Sequence, residues 1–255
     1  MGGGEGVSRP VENAAYIGLS RQMTLRRELD IAANNIANAD TTGFKVEQLL
    51  LGTEVGERAR NDAVRPGVSF VLDGGVGRDY GQGALNQTGR PLDFGIEGEG
   101  VFFEVETDQG PAYTRDGAFT LDPEGRLVTE AGHRVQGQGG EIVLDPARGQ
   151  AAVGADGTIS QDGQPVGQLK LVRFDALSAL SKGGDGLYRN ASNAAAMDAT
   201  DARVRQGMLE ASNVNPILEI TNLIEISRAY ERITRMIENT NDLSRRAVER
   251  LGRAS

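Results

Sequence analysis

The sequence predicts an α+β protein, with paired long N- and C-terminal helices and an antiparallel all-β domain inserted between them. Three observations carry that prediction. Apolar residues at helical spacing occupy both ends of the chain, while its middle is filled with short alternating segments. Those segments are separated by turn sequences rich in Asp and Gly. No helical repeat interrupts the middle, which argues against a βαβ sheet.

At the N-terminal end, residues 1–10 contain a run of glycines and no periodicity, and read as disordered. Asn13 can cap a helix that starts at Ala14. Ala15, Leu19, Met23, Leu29 and Ile36 continue an apolar side, and Leu25, Leu29, Ala32 and Ile36 share one face. Arg21, Arg26, Arg27, Glu28 and Asp30 lie on the other. Asn34, Asn35 and Asn38 have amides that compete for backbone hydrogen bonds, and Asp40, Thr41, Thr42 and Gly43 supply a turn. The helix should stop near Asn38.

The signals from Val46 to Leu85 are weaker. Val68, Phe70 and Leu72 alternate as a strand does, and Asp73, Gly74, Gly75, Val76 and Gly77 read as a turn or flexible linker. From Gln87 to about Met197, strands are expected at 101–106, 112–115, 118–121, 126–129, 141–144, 158–160 and 168–174. Asp108-Gln109-Gly110, Asp116-Gly117, Asp122 to Gly125, Asp156-Gly157 and Asp162-Gly163 supply the turns, because Asp and Gly tolerate positive φ. At the other end, Asn215 and Pro216 form a helix start signal. Leu223, Ile226, Tyr230, Ile233 and Ile237 recur at three and four, then a weaker stripe continues to Leu251. Arg245, Arg246, Arg250 and Arg253 suit a helix C-terminus. The organisation expected is a disordered leader over 1–12 and a discontinuous terminal helical domain of 13–40 with 203–255. A connector with a short hairpin covers 41–85, and a β-rich domain covers 86–202.

Composition excludes several classes of function. There is no cysteine and a single histidine, His133, so thiolate and multi-histidine metal sites are ruled out. The chain is 38% hydrophobic with 35 glycines, which implies a modest core and many turns. It has no apolar run long enough to span a bilayer and no cleavable secretory signal. Its net charge of −9 is concentrated in the middle, with 17 acidic against 9 basic side chains from Asn86 to Asp198. That distribution argues against nucleic acid and anionic membrane surfaces as partners. A carboxylate pair for hydrolysis could be drawn from Asp93, Glu97 and Glu99, as in a cell-wall-acting enzyme, but spacing alone specifies no such site. Gly95, Gly98 and Gly100 lack the helix that a dinucleotide loop requires, and Asp156 to Gly163 lacks calcium-ligand spacing. We therefore expect no catalytic residue, metal or cofactor.

Neither terminal helix can bury its stripe on itself. The two either form one helical hairpin or pair between subunits. The candidate assembly residues are Leu25, Leu29, Asn34, Asn35, Ile36 and Asn38 at one end, and Leu223, Ile226, Tyr230, Ile233, Ile237 and Leu243 at the other. The asparagines have two readings. They belong to an ordinary helix C-terminus closed by Gly43, or they fix the register of a paired helix through hydrogen bonds. Thr41, Thr42, Gly43 and Phe44 form the candidate hinge.

Four stretches, carrying three motifs, resemble one known family. LDIAANNIANADTTGFK, from Leu29 to Lys45, is similar to the N-terminal signature of the flagellar axial proteins, the rod and hook family. QTGRPLDFGIEGEGVFF, from Gln87 to Phe103, and YTRDGAFTLDPEGRLVT, from Tyr113 to Thr129, resemble its β-domain motif. EASNVNPILEITNLIEISRAYE, from Glu210 to Glu231, resembles its third signature. Within the family the N-terminal region is most similar to the proximal rod subunits, with distal rod or hook subunits as the alternative. Family chains usually begin about where Val11 stands, which would make residues 1–10 an extension. The resemblance implies a structural subunit of the basal-body rod, a drive shaft that crosses the periplasm and transmits torque. It also implies type III export without a cleaved signal, helical assembly as a coiled tube, and partnership with itself, other rod and hook subunits and the export apparatus.

Overall fold

The computed structural model describes residues 8–55, 69–192 and 194–252. They divide into two compact units. The first takes residues up to Ile36, then Glu47–Gly77, then Pro216 onward; the second takes Ala37–Val46 and Arg78–Asn215. The class is α+β, with two α-helices and antiparallel strand pairings throughout the β-rich unit.

In the first unit, helix α1 spans Ser8–Ala37 and helix α2 spans Pro216–Gly252. The end of α1 agrees with the expected stop near Asn38. Its start does not. The helix begins at Ser8 and takes in residues expected to be disordered, while residues 1–7 lie outside the described residues. Pro10 falls in the first turn, where its missing N–H has no intrahelical partner to lose. Helix α2 starts at Pro216 as its signal indicates, with Glu219 in the first turn, where a carboxylate suits the helix dipole. No described helix is long and apolar enough to cross a membrane.

The same unit holds a two-stranded sheet of Glu47–Val55 and Ser69–Arg78. The second strand runs through Asp73, Gly74 and Gly75, correcting the linker expected there. Gly75 sits at φ 101°, a conformation open to glycine. A Cβ on Gly77 would lie 2.9 Å from Leu50 Cδ2, so this glycine permits close strand packing.

The second unit is organised on strand Val101–Thr107. It pairs antiparallel with Gly110–Thr114, Arg134–Gly137 and Leu171–Phe174. Successive side chains on a strand point to opposite faces. Phe103 therefore joins one core cluster with Phe94, Phe119, Leu127 and Leu169, while Phe102 joins a second with Tyr113, Phe174 and Tyr188. Phe103 meets Phe119 edge-on at 5.1 Å between ring centres. Burial on both faces explains why Val101, Phe102 and Phe103 are apolar in succession.

Expected hairpin turns appear at most of the Asp and Gly pairs, but Asp116-Gly117 is not one, because the strands on either side of it, Gly110–Thr114 and Phe119–Leu121, pair with other strands. Thr107 pairs with Gly110 across a two-residue loop. Gln161 pairs with Gln164 across Asp162 and Gly163, both at positive φ (50° and 76°), the geometry that matches strand twist. The strand expected at 168–174 is two strands, Gln164–Gln168 and Leu171–Phe174, in different sheets. Only Gly140–Glu141 forms a strand in the 141–144 region, with Val143 in an isolated bridge to Arg126. Arg203–Gln206 pairs with Phe94–Glu97, and Met208–Glu210 with Leu85–Gln87, so the chain stays in the β-rich unit almost to α2.

Candidate assembly site

Helix α1 ends in amides that are already engaged within the unit. Asn35 is buried, and its Oδ1 accepts the Glu47 N–H at 2.9 Å while its Nδ2 donates to the Glu47 carbonyl at 2.8 Å. One side chain thus completes both backbone groups facing it. Nδ2 also reaches Glu219 Oε2 on α2 at 3.3 Å. Asn34 is exposed, and its Nδ2 donates to Glu47 Oε2 at 3.2 Å. Asn38 caps the turn, accepting from Thr41 through both its carbonyl and its side-chain oxygen.

Further along the two helices, Gln22 Nε2 donates to Thr234 Oγ1 at 3.2 Å, and a Cβ on Gly18 would lie 2.9 Å from Ile237 Cγ1. Leu25 is buried, Leu29 and Ile36 are half-buried, and so are Leu223, Ile226, Tyr230, Ile233 and Ile237. Leu243 is 67% exposed. No α2 side chain is fully buried among the described residues. Ile220, Ile224 and Met236 are each close to half exposed. On α1, Leu19 and Met23 are exposed as well, and Met23 edges an open groove with Arg26, Arg27, Asp30 and Ile31.

Beyond the helix, Thr41 is exposed and Thr42 half-buried, whereas Gly43 and Phe44 are buried in the β-rich unit. The Gly43 N–H donates to the Glu210 carbonyl at 2.8 Å, and the Lys182 ammonium lies 3.6 Å from the centre of the Phe44 ring. The Asn213 N–H donates to the Phe44 carbonyl, and Asn213 Oδ1 accepts the Val46 N–H at 2.8 Å. The segments 43–46 and 210–213 are therefore stitched side by side.

Three charges seal that stitch. Lys45, Arg115 and Glu210 all have side chains 1% exposed. Glu210 Oε1 accepts from Lys45 Nζ at 2.6 Å and from the Gly83 N–H at 2.9 Å. Its Oε2 accepts from Arg115 Nε at 2.7 Å. Arg115 Nη1 also donates to the carbonyls of Gly98 and Val101, and Lys45 Nζ to that of Gly81. Burial pulls Lys45 and Arg115 below their ordinary ranges, and Glu210 opposes that shift in both.

Two of the carboxylates considered for hydrolysis, Asp93 and Glu97, are paired within the scaffold. Asp93 Oδ2 accepts from Thr88 Oγ1 at 2.6 Å and Arg90 Nε at 2.8 Å. Glu97 pairs with Arg205 across strands at 2.7 Å, and Glu99 is exposed. His133 closes a turn with Thr129 through its backbone. Asp156 accepts from the Thr158 N–H and hydroxyl, which is turn chemistry. Burial pushes the Asp116 carboxyl up; Glu130 and Asp93 add to this, while the Ala118 N–H and Arg90 oppose it. A carboxyl raised in the folded state contributes fully below its unfolded range, and that contribution is lost as pH rises through the folded value. Asp116→Asn, which can keep the bond from Ala118, is expected to be more stable than the parent near neutral pH. Thermal melts across pH should show the gap closing as pH falls to about 4, the ordinary range of an aspartate.

Three family models match the chain in order. One described as "Flagella basal body rod protein" matches residues 16–45, one for the "Flagellar hook protein FlgE/F/G D1 domain" matches 95–161, and one for the "Flagellar basal body rod FlgEFG protein C-terminal" matches 205–250. The flagellar basal-body rod protein FlgF of Caulobacter vibrioides is 56% identical, covering 95% of this chain and 99% of that protein. The chain belongs to the flagellar basal-body rod FlgF family. The FlgF of Mesorhizobium japonicum is 36% identical over 96% of the chain, and the rod protein FlgG of Bacillus subtilis is 30% identical over 91%.

As a FlgF family member, the chain is a structural subunit of the basal-body rod and not an enzyme. Membership implies contact with other rod and hook subunits. Each matched segment of this FlgF-type chain supplies one member of the buried charge cluster: Lys45 ends the first, Arg115 lies in the second and Glu210 in the third. All three residues lie within the family motifs, but none is among the assembly residues expected from the sequence. Each motif carries several charged side chains, and spacing does not single these three out.

Proposed function

We propose that this chain is a proximal-rod subunit that assembles helically through its terminal helices and forms part of the shaft that transmits torque. The observation that carries the reading is the state of α2, which keeps Ile220, Ile224, Met236 and Leu243 exposed along a helix with no fully buried side chain among the described residues. Surface left apolar over such a length calls for a partner. Antiparallel pairing of α1 with α2 is supported by contacts 18 to 237, 22 to 234 and 35 to 219, in which one number rises as the other falls. In this reading the stripe from Leu223 to Ile237, with Leu25, Leu29 and Ile36, holds the pair together. The more exposed apolar residues meet neighbouring subunits by heterologous contacts, which do not close and so build a filament. Residues Thr41 to Phe44 hand the chain from the helical layer to the β-rich domain. Delivery through the flagellar export apparatus, without a cleaved signal, completes the proposal.

Ile220→Asp combined with Ile224→Asp tests it. Both side chains are near half exposed, so the stability of the isolated chain should change by no more than about 0.5 kcal/mol per site. Incorporation into the rod and motility should be lost, because a charge buried against an apolar neighbour is costly. Ile226→Asp or Ile233→Asp should also block assembly while the β-rich domain stays folded. Motile cells with complete rods carrying the Ile220 and Ile224 changes would rule the seam out.

A further inference from the structure

The geometry points to a completion lock in the β-rich unit: Lys45 and Arg115 cannot be buried until Glu210 arrives, so the unit closes only once the chain extends to residue 210. Glu210 is the one carboxylate that either cation touches among the described residues. It stands 165 residues after Lys45 and 95 after Arg115. Without it, two like charges would face each other in a site where all three side chains are 1% exposed. The carbonyls of Gly81, Gly98 and Val101 accept hydrogen bonds but supply no counter-charge, and the Asp79 carboxylate favours the charged Lys45 less than Glu210 does and makes no hydrogen bond to it. The penalty for an uncompensated buried charge is comparable with the whole margin by which a domain is stable.

The lock also reaches the centre of the sheet. Arg115 holds Val101, the first residue of the central strand, and follows directly on strand Gly110–Thr114. Lys45 holds the chain leaving α1, and Glu210 ends the last strand before α2. Closing the cluster therefore fixes the entry, the middle and the exit of the unit in one step. Its use would lie in delivering an open chain through an export channel, and that use rests on the reading above. The lock itself is tested on the isolated full-length chain, where neither rod nor export takes part.

Refolding from urea is followed by pulse-labelling hydrogen exchange. Amides of the paired strands Val101–Thr107 and Gly110–Thr114 are expected to gain protection in the same kinetic phase as Gly83, whose N–H donates to Glu210. Protection of that hairpin in an earlier phase than Gly83 would overturn the lock. Variants give a second reading. Glu210→Gln, which keeps the shape and removes the charge, should raise the open fraction on the order of 100-fold or more, and Glu210→Asp should recover part of the loss. Replacing the whole cluster by Lys45→Met, Arg115→Met and Glu210→Leu should give refolding at least as fast as the parent, because closure no longer waits for a counter-charge. A Glu210→Gln chain as stable as the parent overturns the proposal. So does a triple variant that stays open or refolds no faster than Glu210→Gln.

Discussion

Gly43→Ala is expected to destabilise the β-rich unit by about 3 kcal/mol, the sum of a left-handed backbone and a backbone collision. Gly43 sits at φ 67°, where an L side chain strains the chain. A Cβ there would also lie 2.6 Å from the Arg115 carbonyl carbon and 2.7 Å from the Asp116 nitrogen. Neither atom can swing aside as a side chain tip can. Arg115 is anchored through its guanidinium, and Gly43 itself donates to the Glu210 carbonyl, so moving the turn disturbs the charge cluster from two directions. Urea unfolding followed by backbone circular dichroism measures the loss. A change below about 1 kcal/mol would mean that the turn relaxes freely and that the packing around it is looser than described.

Asn35→Leu is expected to weaken the helical unit by about 2–4 kcal/mol, because two backbone groups at Glu47 lose a buried partner. Leucine has nearly the same bulk and a better helix propensity, so neither volume nor α1 itself accounts for the loss. The effect should be local. Hydrogen exchange at the Glu47 amide should approach that of an unprotected amide, while amides in strand Val101–Thr107 keep their rates. Unchanged protection at Glu47 would show that Asn35 is replaceable and that its amide is not what fixes the end of α1 to the strand.

The sequence was most legible where a local pattern has one physical reading. The spacing of Leu25, Leu29, Ala32 and Ile36 and the Asn215-Pro216 start each describe a helix, and both helices are present. Asp162-Gly163 and Asp108-Gln109-Gly110 describe hairpins for equally local reasons. Legibility failed where distant partners decide. The strand Ser69–Arg78 crosses glycines that look like a linker until Leu50 is seen to need the room. Short strands such as Tyr188–Asn190 and Ala196–Asp198 have too few residues to show alternation and exist because the sheet recruits them. Lys45, Arg115 and Glu210 were the hardest to see. Charged residues are ordinarily solvated, and nothing within a window of twenty residues indicates that these three meet.

The side-by-side stitching of 43–46 with 210–213 has a consequence for how such proteins can diversify. Within the β-rich unit, the chain from Arg78 to Glu210 hangs from a common root, while Glu47–Gly77 belongs to the helical unit. A body whose two ends emerge together can gain or lose residues, or be exchanged for another, without altering the spacing of the segments that lead away from it. One scaffold with constant ends could in this way carry bodies of very different size.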